Sequence, residues 1–314
     1  MSPVIETRAI EKGFGRAGRR IRVLHGLDLS VQRGEVFALL GPNGSGKTTT
    51  IGILTTLVRP DAGTATVAGC DVVSDPGGVQ QRISLTGQSS AVDDALTGRE
   101  NLVMLGRLAG LSATRARGRA TELLETFELT DASSRRVATY SGGMRRRLDL
   151  ALSLVTTPEV LFLDEPTTGL DTRSRRELWA VIRTISAAGT TVFLTTQYLE
   201  EADQLADRVA VLDNGRIVAL GTPEELKERV GGARIDVRSA AGDLIAEVPT
   251  DGSVPGLRAA LAALDGHEDE RARSAEASVT VHRPTLDDVF LALTGARGGS
   301  ALDSSARSEG RTLA

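Results

Sequence analysis

The chain has 314 residues, 40% of them apolar and 25% charged, with a formal net charge of -4. That is enough sequence for one large domain and a smaller one, and the near balance of charge offers no broad basic surface for gripping nucleic-acid phosphates. The single cysteine, Cys70, cannot form an internal disulfide, no apolar run approaches the roughly 18 residues of a membrane span, and the opening MSPVIETRAI lacks the basic-then-apolar layout of a secretory leader. A cytosolic setting is expected, without a nucleic-acid partner, and any membrane role must come through another polypeptide.

Apolar runs at residues 4–9, 21–24, 27–31 and 35–40 predict short strands. The last runs straight into a glycine-rich turn, the form of a buried strand feeding a helix. Past the turn Ile51, Leu54, Leu57 and Val58 recur at helical spacing, and a mixed polar stretch follows to about residue 100. Residues 100–130 are expected to be helical, with apolar positions at Leu102, Leu105, Leu108, Leu123, Leu124 and Phe127. From Val160 strands and helices alternate: a strand at 160–163, a helix striped by Leu178, Val181, Ile182 and Ile185, then strands at 191–194 and 209–212. Asp213-Asn214-Gly215 reads as a hairpin turn before 216–219. Such alternation implies an α/β fold with a largely parallel sheet covered on both faces. The texture changes near residue 230. Strand-like 234–237, 244–248 and 278–281 alternate with helix-like 256–264 and 285–294, which predicts a small α+β domain. The expected division is 1–229, 230–295 and a disordered tail at 296–314, where Gly, Ser, Ala and Arg show no periodicity.

The chemistry is concentrated in two motifs. Gly41-Pro42-Asn43-Gly44-Ser45-Gly46-Lys47-Thr48, with Thr49 after it, is a Walker A pattern between a strand and a helix. Its glycines let successive backbone N–H groups turn toward a phosphate, and the helix N-terminus adds about half a positive charge. Lys47 should reach the β- and γ-phosphates of ATP, and the Thr48 hydroxyl should ligate Mg²⁺. Val160-Leu161-Phe162-Leu163-Asp164-Glu165 is an apolar strand ending in two acids, a Walker B pattern. Neighbours on a strand point to opposite sides, so the two acids need not share a role. Asp164 is expected to hold Mg²⁺, directly or through water, and Glu165 to polarise the attacking water.

A third motif, Tyr140-Ser141-Gly142-Gly143-Met144-Arg145-Arg146-Arg147, lies shortly before Walker B. Here the chain resembles the ABC ATPases, whose signature begins Ser-Gly-Gly. Met144 stands where the family usually has glutamine. The resemblance implies a P-loop NTPase core of RecA-like mixed sheet, with the family's antiparallel β and α-helical subdomains added. It also implies a head-to-tail homodimer in which Ser141, Gly142 and Gly143 complete the partner copy's ATP site. Gln88 then fits the glutamine that senses Mg²⁺ and water, Asp171 the D-loop acid that touches the partner copy's Walker A, and Phe14 the aromatic that stacks on adenine. Where the family usually carries a switch histidine on the γ-phosphate, this chain has Gln197, a neutral donor that cannot take up a proton near neutrality.

Gln197 within Thr195-Thr196-Gln197-Tyr198-Leu199-Glu200-Glu201-Ala202-Asp203, and Arg283-Pro284-Thr285-Leu286-Asp287-Asp288-Val289-Phe290 near the C-terminus, are similar to the daunorubicin/doxorubicin-resistance branch of antibiotic exporters. That resemblance implies an ATP-hydrolysing subunit on the cytoplasmic face of a membrane, bound to a separate permease that carries the drug contacts. Coupling to the permease is expected around residues 88–101, where Asp93, Asp94, Thr97 and Glu100 keep the stretch polar. Two other classes share the P-loop. Nucleic-acid or ribosome ABC proteins would bring a long coiled coil, a zinc insertion or a second ATPase domain, and a P-loop kinase would lack the signature.

Overall fold

The computed structural model describes residues 2–16, 19–87, 91–239, 241, 243–264 and 278–295. The tail expected at 296–314 lies outside the described residues. The chain divides after Leu220 into two compact units.

In the first unit β1 (Ile5–Phe14) and β2 (Ile21–Val31) form an antiparallel hairpin, followed by β3 (Val36–Leu40) and α1 (Lys47–Leu54). Next come β4 (Ala62–Val67), β5 (Cys70–Asp71), α2 (Pro76–Gln80) and β6 (Ile83–Thr86). The helical stretch comprises α3 (Gly98–Leu108), α4 (Ala113–Thr126) and α5 (Gly142–Ser153). The rest is β7 (Val160–Asp164), α6 (Thr172–Ala187), β8 (Thr191–Thr196), α7 (Leu199–Leu205), β9 (Arg208–Asp213) and β10 (Arg216–Gly221).

Every residue of β3, β7 and β8 is buried, as a central strand covered on both faces requires. They lie side by side in a six-stranded sheet of order β10-β9-β3-β8-β7-β6, with β3, β6, β7, β8 and β9 paired in parallel. Phe37, Phe193 and Phe162 are register partners across β3, β8 and β7, and neighbouring rings sit 5.5 Å apart. All three are fully buried, and burying each contributes about 2–3 kcal/mol. This row fixes the register of the three strands whose C-terminal ends build the site. Two residues beyond Phe162 and Phe193, on the same face, stand Asp164 and Thr195, which are also register partners.

The second sheet has the order β2-β1-β4-β5, and its paired strands are antiparallel. The strands expected at 21–24 and 27–31 are one strand, β2. Gly26, at φ 81°, is skipped in the pairing with β1, where His25 and Leu27 face Glu11 and Ile10. This is a bulge, and it bends the strand without ending it. Helix α1 touches β2 and β4 of this sheet and β7 and β8 of the other, so it lies between the two layers. It stops at Leu54, short of the expected Val58: Thr56 takes φ 66°, and Leu57 is exposed. The helical region expected over 100–130 is two packed helices, with Gly110 at φ 88° between them. Asn214 and Gly215, both at positive φ, form the two-residue turn between β9 and β10.

The second unit contains α8 (Pro223–Glu228), β11 (Arg234–Arg238), β12 (Leu244–Pro249), α9 (Val254–Leu264), β13 (Ser278–His282) and α10 (Leu286–Gly295). Its antiparallel sheet, β12-β11-β13, buries Ile235, Val237 and Ala246 with Ala260 of α9. The division falls before α8, ahead of the expected 229/230, because α8 packs with α10. Among the described residues no helix is long and apolar enough to cross a membrane.

Candidate nucleotide site

The turn from β3 into α1 is tight for identifiable reasons. A side chain at Gly41 would strike the Leu212 carbonyl of β9, and one at Gly46 would meet Leu24. Gly44 and Gly46 take φ 82° and 111°, conformations open to glycine and costly for other residues. The Gly41 N–H donates to the Thr196 carbonyl at 3.1 Å, and the Gly215 N–H to the Ser45 carbonyl at 3.0 Å, so the loop is tied to the ends of β8 and β9–β10. Lys47 folds back over the loop it follows. Its Nζ donates to the Gly41 carbonyl at 2.8 Å and the Pro42 carbonyl at 3.2 Å, and lies 3.2 Å from Glu165 Oε1.

Asp164 ends β7 and Glu165 follows it, and the side chains of the two acids face different partners. Asp164 is buried. Its Oδ2 accepts from the Thr48 hydroxyl at 3.2 Å, and its Oδ1 accepts from the Thr195 hydroxyl at 2.6 Å. Glu165 takes φ 49°, a left-handed conformation that costs a non-glycine residue about 1–3 kcal/mol. Its N–H donates to both the carbonyl and the hydroxyl of Thr195, each at 3.1 Å. The Thr168 hydroxyl lies 3.4 Å from its Oε2.

Lys47, Thr48, Thr49 and Glu165 line a cleft of about 570 Å³ together with Asn43, Gly44, Gly46, Phe14 and Gln197. The structure thus brings the P-loop, Glu165 and Gln197 to one place. Phe14 is 46% exposed at the cleft edge, with Lys12 Nζ 5.4 Å from its ring centroid.

The signature residues do not line this cleft. Ser141 caps α5, its hydroxyl accepting from the Met144 N–H at 3.2 Å. Ser141 and Gly142 are exposed, and Gly143 packs so close to Ser174 that a side chain there would collide. Gly142 borders a separate cavity of about 330 Å³ with Glu165, Thr168 and Gly169. Asp171 caps α6 by accepting from the Ser174 N–H at 2.7 Å, which holds its carboxyl below the usual range. Gln88 lies outside the described residues.

Arg146, Asp149 and Thr195 are site residues that sequence reasoning missed. Arg146 Nε donates to the Pro166 carbonyl at 2.8 Å, and its Nη1 to the Gly87 carbonyl at 3.0 Å. Burial lowers its pKa, and Asp149 beside it opposes that shift. Asp149 Oδ1 accepts from the Ala91 N–H at 3.0 Å. The available signal for the pair was charge on a helix one turn apart beside the signature. Thr195 gave none beyond its place at the end of a strand.

A glycine loop with Lys47 folded back over it, and a hydroxyl and two acids beside that loop, define a P-loop nucleoside-triphosphatase. A profile described as ABC transporter matches residues 24–168. The chain is 52% identical to the daunorubicin resistance ATP-binding protein DrrA2 of Streptomyces coeruleorubidus, over 93% of this chain and 95% of that one. It is 51% identical to the daunorubicin/doxorubicin resistance ATP-binding protein DrrA of Streptomyces peucetius, over 92% and 93%. In fold it is similar to a dimeric ATP-binding cassette in a post-hydrolysis state bound to ADP and phosphate, with a TM-score of 0.62 at 22% identity over 69% of this chain and 98% of that one. The chain belongs to the ABC transporter family, as an ATP-binding subunit with the ATPase chemistry of that family.

Proposed function

We propose that this subunit hydrolyses Mg-ATP to drive export of an antibiotic or another hydrophobic drug through a separate permease, from the cytoplasmic face of the membrane. The carrying observation is the convergence of Lys47, Thr48, Glu165 and Gln197 on one cleft, and the relatives' names supply the substrate class. Lys47 and the loop N–H groups hold the β- and γ-phosphates. Glu165 accepts the proton of a water whose oxygen attacks the γ-phosphorus as the bond to the β-phosphate oxygen breaks. Gln197 donates to the γ-phosphate as a neutral amide. Thr48 and Asp164 offer hard oxygen donors directed at each other's surroundings, a set that suits Mg²⁺ more than a softer metal. Bound there, Mg²⁺ would offset the charge of the phosphates. Gln88 is assigned to the same metal and water, and Phe14 to the adenine face.

The exposure of Ser141 and Gly142 away from the cleft supports a head-to-tail homodimer, in which each signature meets the other copy's nucleotide and Asp171 approaches the other copy's loop. The polar stretch 88–101 is the proposed permease contact. The deciding experiment is antibiotic sensitivity of a host expressing the chain with and without its permease, with Lys47→Ala at matched levels as control. Resistance that survives Lys47→Ala, or that needs no permease, would overturn the reading.

A further inference from the structure

Thr195 is fully buried at the end of β8, and its one side-chain oxygen meets both the Asp164 carboxylate and the backbone N–H of Glu165. A threonine hydroxyl has a single proton to give and two lone pairs to receive. The Glu165 N–H occupies a lone pair at 3.1 Å, so the proton goes to Asp164 Oδ1 at 2.6 Å. That length lies in the range of a hydroxyl donating to an ionised carboxylate. The Thr48 hydroxyl faces the same carboxylate, 3.2 Å from Oδ2 and 3.4 Å from Oδ1. The next residue completes the arrangement from the other side: the Thr196 carbonyl accepts the Gly41 N–H at the start of the phosphate loop. Strand β8 lies between β3 and β7, and its last two residues therefore stitch the phosphate loop to the acid pair.

We infer that the Thr195 hydroxyl is a positioning group for the metal-side carboxylate. It acts through Asp164, and the inference rests on the reading of this cleft as a Mg-ATP site. Its effect is separable from that on Glu165. The Glu165 N–H also donates to the Thr195 carbonyl, a bond that any residue at 195 keeps. Replacing the hydroxyl by a methyl group therefore costs Asp164 its fixed donor and leaves the backbone of Glu165 bonded. Valine keeps the β-branched shape without the hydroxyl, and serine keeps the hydroxyl without the methyl.

The test compares the purified full chain with Thr195→Val and Thr195→Ser, by titrating Mg²⁺ into a fixed mixture of protein and fluorescent ATP analogue. Binding without Mg²⁺ should be the same in all three. In Thr195→Val the Mg²⁺ concentration for half-maximal binding should rise about tenfold or more, the scale of one hydrogen bond to a charged group, and turnover at saturating Mg²⁺ should fall. Thr195→Ser should lie within about threefold of the parent, since it retains that bond. A Thr195→Val protein with the parent's Mg²⁺ titration overturns the inference alone. Equal deficits in the valine and serine variants assign Thr195 to packing and overturn it too. A parent chain that gains nothing from Mg²⁺ overturns the Mg-ATP reading, and the inference falls with it.

Discussion

Arg146 Nη1 lies 3.2 Å from Asp149 Oδ2, one turn along α5, and the two side chains form a clasp on the backbone of Gly87 and Ala91. Arg146 donates to the Gly87 carbonyl, and Asp149 accepts from the Ala91 N–H. The same guanidinium reaches the Pro166 carbonyl, immediately beyond Glu165. The helix capped by Ser141 is thereby fastened to the backbone just beyond Glu165 and to the edge of the proposed permease contact.

Breaking this clasp should be costly, because both groups are largely buried. Arg146→Ala leaves the Asp149 carboxylate and two backbone carbonyls without their shared donor, and should destabilise the first unit by about 3 kcal/mol. Arg146→Lys should recover only part, since a lysine cannot reproduce the planar fork that meets three acceptors. Calorimetric melting of the full chain reads both. A melting profile for Arg146→Ala that matches the parent would show the clasp to be idle.

Glu165 is held by Lys47 and by the Thr195 backbone in a conformation few residues adopt. Glu165→Gln preserves that geometry and removes the proton acceptor. ATP binding should persist while turnover drops by roughly two to four orders of magnitude. Steady-state hydrolysis and nucleotide binding measured on one preparation separate the effects. Near-parental turnover would remove Glu165 from the role of base.

The phosphate loop and the acid pair were legible because each is contiguous in sequence and flanked by the elements its chemistry needs. Thr195 and Arg146 were not, because Asp164 lies 31 residues from Thr195, and Pro166 and Gly87 lie 20 and 59 residues from Arg146. Only the parallel register that puts Asp164 beside Thr195, and the packing that sets α5 against β6, bring them together. Strands β4 and β5 were missed for a different reason. Only Ala65 and Val67 of β4 are buried, its other residues being Ala, Gly and Thr, and β5 has two residues. Both strands acquire their character from pairing, β4 with β1 and β5 with β4, which local sequence does not reveal.

Glu201 of α7 is fully buried beside the Trp179 indole N–H, which donates to its Oε1 at 3.2 Å. Burial pushes its carboxyl above the ordinary value of 4.5, against the opposing pull of the Thr196 and Thr167 hydroxyls, Trp179 and Arg175. A raised carboxyl pKa means that the folded chain binds the proton more tightly than the unfolded chain. Its contribution is therefore complete below the ordinary range and is lost as pH rises through the raised value. Asp71 and Asp171, whose pKa values are lowered by backbone N–H donors, act in the opposite sense at acid pH. The difference between parent and Glu201→Gln isolates the one group. Urea denaturation across a pH series should show the parent losing stability relative to Glu201→Gln as pH rises above about 4.5. Parallel curves would mean that Glu201 has the same proton affinity folded and unfolded.

Gln197 follows directly on Thr195 and Thr196, and borders the cleft with Lys47 and Glu165. A neutral amide there can donate to the γ-phosphate but cannot gain a charge near neutrality. Gln197→Ala should therefore reduce turnover more than ATP binding, because a donor matters most as charge develops during transfer. Gln197→His should stay active, since an imidazole supplies the same hydrogen bond. It should also acquire a pH dependence centred near the ordinary histidine value of about 6.5, over a range where the parent is flatter. One hydrolysis series against pH on the three proteins checks both expectations. If Gln197→Ala matches the parent throughout, Gln197 makes no contact that hydrolysis uses. A histidine variant that is active yet as flat as the parent would instead leave the donor role standing and show that the position is shielded from proton exchange.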